Sequence, residues 1–482
     1  MSLAVYNTLS RSLEEFKPIS GKSVKMFVCG QTVYDDAHLG HAKNYIDFDI
    51  IARWLRHLGY SLTYIQNITD VDDKIIQRAG EMGISPAELA EKYEKRLMED
   101  MEAIGVKESI DQFPRSHSYM KEIESQIQLL IGKGHAYVAG GDVYYDVDTF
   151  KDYTKLSHMK LEELTEHRIE PEEGKRQPYD FALWKASKPG EPTWRITVSY
   201  RKKKTELTGR PGWHIEDTAI THSIFGPQYD IHGGAIELLF PHHTNELAQA
   251  EAAFGKNPFV KYWLHSGVLN VNGKKMSKSL KNFTTIRDIL KRYDSEALRL
   301  MVASTHYRKE IDFSEETIKN ADKRLRFLYG ALGVFYNAEN EESGADKESK
   351  RITEELKRDF TEAMNHDFDT SLAISALWAA VTESRNAVER EGSIGKGAKE
   401  ETMAAMLECS GVIGILQHDW YKEAPSGAAM KKIKKREELR KASNFKEADQ
   451  IRSELSKEGI ALEDTEYGTI WRIEKNKRGK PI

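Results

Sequence analysis

Val24-Lys25-Met26-Phe27-Val28-Cys29-Gly30 opens the segment that decides the fold; it continues through Asp35 and Asp36 to His38-Leu39-Gly40-His41 and a run in which Ile46, Ile50, Trp54 and Leu58 recur every fourth residue. Val24 to Val28 reads as a short apolar strand and the following turn-prone residues as a loop. The four-residue spacing, with Ile51 and Leu55 beside it, predicts a helix buried along one face, and Gly59 is its natural stop. A second apolar strand, Leu62 to Ile65, follows at once. Strand, loop, helix, strand is the rhythm of a parallel sheet and predicts a nucleotide-binding α/β domain.

Working outward, apolar strand material returns only at Tyr229 to His232 and Tyr262 to Asn270, so the sheet is completed from residues distant in sequence. The catalytic domain is therefore expected to be split, over 1–112 and 208–292. Between the halves, Pro171, Pro178, Pro189 and Pro192 break up mixed helices and short strands, an inserted connective domain over 113–207. Strong helical periodicity from Tyr293 to Trp420, interrupted by polar loops at Asn337 to Ser349 and Glu391 to Lys399, predicts an all-α helical bundle over 293–422. Glu423 to Gly427 reads as a linker, and 429–482 as a small α+β module that begins with a basic helix. The expected fold class is thus α/β: a Rossmann-like parallel-sheet domain with an insertion, then a bundle and a small C-terminal module.

The chain has 482 residues, too many for one ordinary core. Its 39% hydrophobic and 30% charged residues are those of a globular chain rather than a disordered one. Neither a signal-peptide pattern nor an apolar run of about 18 residues occurs, which predicts a cytoplasmic protein that does not enter membranes. Two cysteines, Cys29 and Cys409, exclude a disulfide framework. Cys409 lies in a helical pattern and reads as a small buried hydrophobe. The net charge of −5 does not flag a nucleic-acid partner, but Tyr421 to Ile482 carries 16 Lys plus Arg against 11 Asp plus Glu. The C-terminal end therefore favours phosphate.

Two imidazoles at a helix N-terminus suit phosphate, because unpaired N–H groups and the helix dipole favour anions there. His38 and His41 are so placed, and Gly40 between them lets a flat base approach the backbone. Taken alone, His38-Leu39-Gly40-His41 could equally be surface histidines. Lys275-Met276-Ser277-Lys278-Ser279, preceded by Asn272-Gly273-Lys274, supplies two ammonium groups on a small-residue loop. Such a loop is either a solvated basic turn or a clamp for the β and γ phosphates. The pair, in this order and each at a strand end, resembles the two ATP signatures of a class I aminoacyl-tRNA synthetase. The resemblance implies in-line attack of an amino-acid carboxylate on the α-phosphate, with Mg²⁺ accompanying ATP. It makes His38, His41, Lys275 and Lys278 the catalytic candidates.

Flanking residues narrow the family. Phe27 to Asp35, Asn67-Ile68-Thr69-Asp70-Val71-Asp72-Asp73-Lys74, Arg210-Pro211-Gly212-Trp213-His214-Ile215-Glu216 and Asp230-Ile231-His232-Gly233-Gly234 closely resemble cysteinyl-tRNA synthetase. The likeness continues through Asp180 to Lys185 and Phe240-Pro241-His242-His243 to Trp471-Arg472. By this resemblance Cys29, Gly30, Thr69, Trp213 and Glu237 bound the cysteine pocket, with Glu237 facing the substrate ammonium where the family more often has Asp. His38, Gly40, His41, His232, Gly234, Ser266, Gly267 and Lys278 line the ATP site. Ordinary core packing for Trp213 and a satisfied buried histidine for His232 are the bland alternatives.

A metal is expected on chemical grounds, because a hydrophobic pocket separates near-isosteres such as cysteine and serine only by roughly 10–200-fold. Zinc does better by bonding the thiolate directly. Cys29 sits at a strand end, and His242 and Glu246 are four apart at a helix start, hence on one face. The resemblance makes these three zinc ligands, one ion per chain. At the fourth position the family pattern has a second Cys directly after Trp-His-Ile-Glu; here Asp217 stands there. A carboxylate is an acceptable zinc ligand, so Asp217 either completes the site or, if the metal is lost, serves as a helix cap.

For tRNA, the basic helix around Lys434 and Arg436 is a candidate phosphate surface, though such a run is often only a solvated face. By family likeness Asp464, Trp471 and Arg472 are candidates for anticodon contact. The resemblance implies ATP, L-cysteine and tRNA(Cys) as partners, and a monomer is expected. Two alternatives remain open: the related ligase that joins cysteine to an amino sugar in mycothiol synthesis, which lacks a C-terminal anticodon module, and a catalytically silent RNA-binding paralogue.

Overall fold

Val24, Met26, Phe27 and Val28 are completely buried, with Cys29 close behind. A strand this apolar on both faces belongs inside a parallel sheet. In the computed structural model, which describes residues 2–159, 174–276, 283–423, 425, 427–465 and 468–473, it forms β1 (Ser23–Val28). The helix α1 (Leu39–His57) and strand β2 (Ser61–Gln66) follow as expected, with β1 and β2 parallel and Phe27 opposite Ile65. Trp54 and Ile46 of α1 are fully buried. A buried ion pair, Lys43 to Asp47 at 2.7 Å, is completed by the carbonyl of Tyr307, which accepts from Lys43 Nζ at 2.8 Å.

Beyond β2 come α2 (Asp73–Met82), α3 (Pro86–Ala103) and α4 (Met120–Gly132). The insertion then builds an antiparallel sheet from β3 (Ala136–Ala139), β4 (Asp142–Tyr145), β5 (Phe181–Ala186), β6 (Trp194–Tyr200) and β7 (Lys203–Pro211), in the order β3-β4-β5-β7-β6. Its apolar face, including Val143, Trp184, Val198 and Leu207, packs with Ile123 and Ile127 of α4. Strand β7 runs past the expected boundary at 207 because Gly209 to Pro211 still pair with β5.

The chain then returns to the parallel sheet through α5 (Ile215–Phe225), β8 (Tyr229–Ala235), α6 (Thr244–Phe254) and β9 (Val260–Ser266). Its order is β9-β8-β1-β2, with Ile231 opposite Met26 and Gly233 opposite Leu264. The apolar strand material from Tyr262 to Asn270 falls into two strands, because Gly267 leaves the sheet. Its N–H donates to the Tyr307 carbonyl at 2.8 Å, and a Cβ there would lie 2.2 Å from the Lys309 carbonyl. The chain resumes as β10 (Leu269–Val271), paired antiparallel with β11 (Lys274–Lys275).

Residues Ser2–Asp288 with Tyr307–Ile311 make one compact unit, and Ile289–His306 with Asp312–Ile482 a second. The second unit holds α7 (Ser295–Ala303), α8 (Glu315–Tyr336), α9 (Gly344–Asn365), α10 (Thr370–Glu391) and α11 (Lys396–Ile413). Cys409 is buried on α11. Arg299 on α7 is structural, donating to the Ile413 carbonyl from Nε at 3.1 Å and Nη2 at 2.8 Å. The unit ends with α12 (Gly427–Lys441), α13 (Phe445–Lys457) and the antiparallel hairpin β12 (Ile460–Thr465) and β13 (Gly468–Ile473), around Ile433, Leu455, Ile460 and Leu462. Among the described residues no helix is long and apolar enough to cross a membrane.

Candidate active site

The carboxyl ends of β1 and β8 carry the chemistry, where an open parallel sheet offers its crevice. Cys29 follows β1 directly and donates its backbone N–H to the Gly233 carbonyl of β8. Gly30 is then forced by contact: its N–H donates to Asn67 Oδ1 at 2.6 Å, and a Cβ would lie 1.7 Å from the Asn67 carbonyl oxygen. Asn67 follows β2, so the two strand ends are clamped side by side. Its amide also donates to Thr69 Oγ1 at 3.3 Å and to Asp217 Oδ1 at 2.5 Å.

Around Cys29 the first unit gathers buried donors. Cys29 Sγ lies 3.1 Å from His243 Nε2, 3.4 Å from His232 Nε2, 3.5 Å from Asp217 Oδ2 and 4.0 Å from Glu246 Oε1. His242 Nε2 sits 3.0 Å from Asp217 Oδ2 and 2.7 Å from Glu246 Oε1. Cys29, Asp217, His242 and Glu246 thus offer ligand atoms within 4.8 Å of one another, as the sequence reading required. A second grouping of the same kind joins Cys29 and Glu246 with His232 and His243. Asp217 is no helix cap: the start of α5 has no side-chain cap bond, and both Asp217 oxygens are engaged in the cluster.

Burial is the dominant electrostatic fact here. It pushes the Cys29 thiol far above its ordinary range, and the Glu246 and Asp217 carboxylates push it further. Glu246 is raised to about 8, burial outweighing the opposing effect of His242. Burial alone would lower His242, but the Glu246 and Asp217 carboxylates carry it to about 9. His232 and His243 are held well below their ordinary range by burial and stay neutral. Three acidic groups packed this closely without a cationic side chain other than His242 are costly unless a cation joins them. Glu246 Oε2 also lacks a hydrogen-bond partner. The donor set therefore fits a divalent metal.

His38 caps α1. Its Nδ1 accepts from the N–H of Gly40 at 3.0 Å and of His41 at 3.3 Å, while His41 Nδ1 accepts from the His38 N–H at 3.3 Å. The rings stack with centroids 3.7 Å apart. Because each Nδ1 is an acceptor, each neutral ring carries its proton on Nε2. Burial, then His38, then Lys74 hold His41 well below its ordinary range. The segment after the lysine-rich motif is tied to this turn, Leu39 N–H donating to the Thr284 carbonyl and Ile286 N–H to the Ala37 carbonyl.

Other expectations fare differently. Trp213 is 37% exposed, which excludes core packing, and stacks on His242 with centroids 4.0 Å apart. Glu237 is exposed and paired with Lys275, so the carboxylate expected at the substrate ammonium meets a motif lysine instead. His232 is fully buried, its Nδ1 2.6 Å from Tyr229 OH and its Nε2 3.4 Å from Cys29 Sγ, which places it in the buried cluster. Gly234, one residue before the end of β8, lies against the His243 ring. Ser266 is buried and donates to Asn44 Oδ1 at 2.9 Å, and Thr69 is buried beside Asn67. Lys278 lies outside the described residues.

In the second unit, the Arg436 guanidinium is completely buried and donates to both Asp464 oxygens at 2.7 Å, while the Asp464 side chain keeps 30% of its exposure. Lys434 remains exposed. Trp471 lies over Gly330, 3.5 Å from where a Cβ would be. Arg472 takes part in β13 opposite Ala461; its side chain is outside the described residues. Sequence reasoning missed His214, whose Nδ1 lies 2.8 Å from His242 Nδ1, and His265, whose Nε2 meets His243 Nδ1 at 2.8 Å. His214 and Asn67 lay inside quoted motifs, but nothing in their spacing announces that they meet the cluster.

A parallel sheet with the capping histidines at one helix and a lysine-rich strand pair after β9 defines the class I aminoacyl-tRNA synthetases. Solved structures agree on the fold: Mycobacterium tuberculosis methionyl-tRNA synthetase in complex with methionyl-adenylate aligns over 81% of this chain and 89% of its own, with TM-score 0.57 at 15% identity. A leucyl-tRNA synthetase of Agrobacterium radiobacter in a ternary complex covers 83% and 86%, with TM-score 0.58 at 11% identity. Residues 15–323 match the family model described as tRNA synthetases class I (C) catalytic domain, and 359–417 match the DALR domain. The relatives named "Cysteine--tRNA ligase" from Thermococcus gammatolerans and Coxiella burnetii are 45% and 44% identical, each over 98% of this chain and 99% or 100% of their own. The chain belongs to the cysteinyl-tRNA synthetase family.

Proposed function

We propose that the protein activates L-cysteine with ATP, releasing pyrophosphate, and transfers the cysteinyl group from the adenylate to the 3′-terminal adenosine of tRNA(Cys). The observation that carries this reading is the buried cluster of Cys29, Asp217, His242 and Glu246 at the strand ends, together with the His38–His41 cap. Cys29, Asp217, His242 and Glu246 would hold one zinc ion, with Asp217 in the place of the family's second cysteine. When bound, zinc supplies a direct bond to the substrate thiolate that serine cannot match. Trp213 closes the cluster from the solvent side and bounds the cysteine pocket with Gly30 and Thr69.

For the phosphoryl step, His38 and His41 present neutral Nε2–H donors to the transferring phosphate, and Lys275 and Lys278 add positive charge where the pyrophosphate develops. Mg²⁺ accompanies the nucleotide. Gly40, Gly234, Ser266 and Gly267 bound the ATP site. Lys434, Asp464, Trp471 and Arg472 would contact the tRNA, with Arg436 holding Asp464 in place. The split catalytic domain, the insertion, the bundle and the C-terminal module would each act as a separate domain of a cytoplasmic monomer. The α+β module favours tRNA over an amino sugar as acceptor, and intact His38, His41 and Lys275 argue against a silent paralogue.

The test is cysteine-dependent exchange of pyrophosphate into ATP beside serine, then charging of tRNA(Cys), with metal analysis of the same sample. Exchange with cysteine and not serine, at one zinc per chain, is expected; no exchange with cysteine would end the reading. Asp217→Ala should lose zinc in the same analysis, whereas Asp217→Cys should keep it. Full zinc in Asp217→Ala would assign the metal to the His232 and His243 grouping instead.

A further inference from the structure

Lys43 is a buried cation with no part in the chemistry proposed so far. It stands on α1 two residues after His41 and pairs with Asp47 at 2.7 Å, the two side chains only 1% and 4% exposed. Local stability does not account for the pair. The lysine precedes its acid by four residues, the reverse of the order that suits a helix. Burial carries the Asp47 carboxyl up to about 6 despite Lys43, so its ionised form costs stability at neutral pH. Apolar side chains of similar volume in place of a buried ion pair are often neutral or stabilising. The distinctive property of Lys43 lies in what else it holds.

That contact leaves the helix. Lys43 Nζ donates to the Tyr307 carbonyl at 2.8 Å, and the same oxygen accepts from the Gly267 N–H at 2.8 Å. Asp47, Lys43, Tyr307 and Gly267 are thereby joined in one chain of hydrogen bonds. The next residue repeats the arrangement, Asn44 Oδ1 accepting from Ser266 Oγ at 2.9 Å with both side chains buried. Two successive residues of α1 thus hold two successive residues at the carboxyl end of β9. The helix is itself seated tightly on the sheet, since a Cβ at Gly233 of β8 would lie 2.3 Å from the Phe48 ring. One stiff element therefore carries the His38–His41 cap at its start and grips the Ser266–Gly267 turn about one helical turn beyond His41.

We infer that Lys43 is a positioning residue of the nucleotide site, which with Asn44 keeps the Ser266–Gly267 turn in register with the His38–His41 cap. The inference rests on the proposed activation of cysteine, because that reaction sets ATP against both. A wall held by a charged hydrogen bond from a rigid helix does not drift, and a displacement of about 1 Å near a reacting centre costs on the order of a hundredfold in rate. Apolar residues at 43 and 47 would fill the space but could not hold the Tyr307 carbonyl.

The test is the double variant Lys43→Met with Asp47→Leu, and separately Asn44→Ala, each in the full chain. Cysteine-dependent pyrophosphate exchange is measured with ATP and with cysteine varied, beside thermal melting and ATP binding by titration calorimetry. In the double variant the melting temperature should stay level or rise. Its KM for ATP should rise about tenfold or more, while the KM for cysteine stays within about twofold. Asn44→Ala, which releases only the Ser266 hydroxyl, should move the ATP KM the same way by about threefold. A folded double variant with the wild-type ATP KM would overturn the proposal, and so would equal rises for ATP and cysteine, the mark of a general loss of structure. If the double variant does not fold, Asn44→Ala decides, and a wild-type ATP KM there refutes the positioning role. A wild type without cysteine-dependent exchange sinks the parent reading alone. Calorimetry then still reads the register, and equal ATP affinity in wild type and double variant sinks the inference.

Discussion

Removing one carboxylate should unlock the C-terminal module without touching the chemistry of the first unit. Arg436 is completely buried, and its charge is balanced by two 2.7 Å hydrogen bonds to Asp464 and a 3.5 Å contact with Thr469. Asp464→Ala leaves that guanidinium buried and unpaired, for which the cost is about 3–5 kcal/mol. The Asp464 side chain keeps 30% of its exposure, so water relieves part of this and the lower end, about 3 kcal/mol, applies. A module built on a core as small as Ala429, Ile433, Leu455, Ile460 and Leu462 holds only a few kcal/mol in total. The loss is therefore a large share of its stability. Amide hydrogen exchange on the full chain reads it directly: β12 and β13 should exchange roughly a hundredfold faster, with the strands of the parallel sheet unchanged. Charging of tRNA should weaken while cysteine-dependent exchange persists. Arg436→Met with Asp464→Leu, which removes both charges, should recover most of the protection. Protection in Asp464→Ala within about fivefold of wild type would refute the reasoning, and so would a double variant no better than the single one.

The same pair sets an acid limit. Hydrogen bonds from Arg436 hold the Asp464 carboxyl at about 2, below its unfolded value of about 3.9, so its stabilisation is complete above about pH 4 and lost as pH falls through 2. Hydrogen exchange of β12 should rise over that window, and in Asp464→Asn the rise should be absent. Gly30→Ala places a Cβ 1.7 Å from the Asn67 carbonyl, which only separation of the two strand ends can relieve. A cost of about 1–3 kcal/mol in melting stability and a loss of cysteine-dependent exchange of roughly a hundredfold are expected, and wild-type kinetics would contradict the clamp. Trp213→Ala removes an exposed ring stacked on His242, so the melting temperature should barely move while the KM for cysteine in the exchange assay rises about tenfold or more.

Much of the α/β unit was legible locally. The apolar run Val24 to Val28, the four-residue spacing through Trp54 and the strand after Gly59 announce themselves, because burial on both faces or one stripe leaves a periodic trace. Cys29, His242 and Glu246 were legible too, two of them through helical spacing, and Asp217 through its place after Trp213-His214-Ile215-Glu216. The helices of the second unit likewise follow from periodicity and polar loops. Pairwise meetings across the chain leave no such trace. Nothing in the basic run announces that Arg436 is buried against Asp464, and Asn67, 150 residues from Asp217, gives no sign that it donates to it. Nor does the sequence show that His232 meets both Tyr229 and Cys29. Sequence spacing records which face of its own element a residue occupies. What that face meets, and whether a charge ends in water or in a buried pair, is set by contacts between distant segments, and only the tertiary structure decides them.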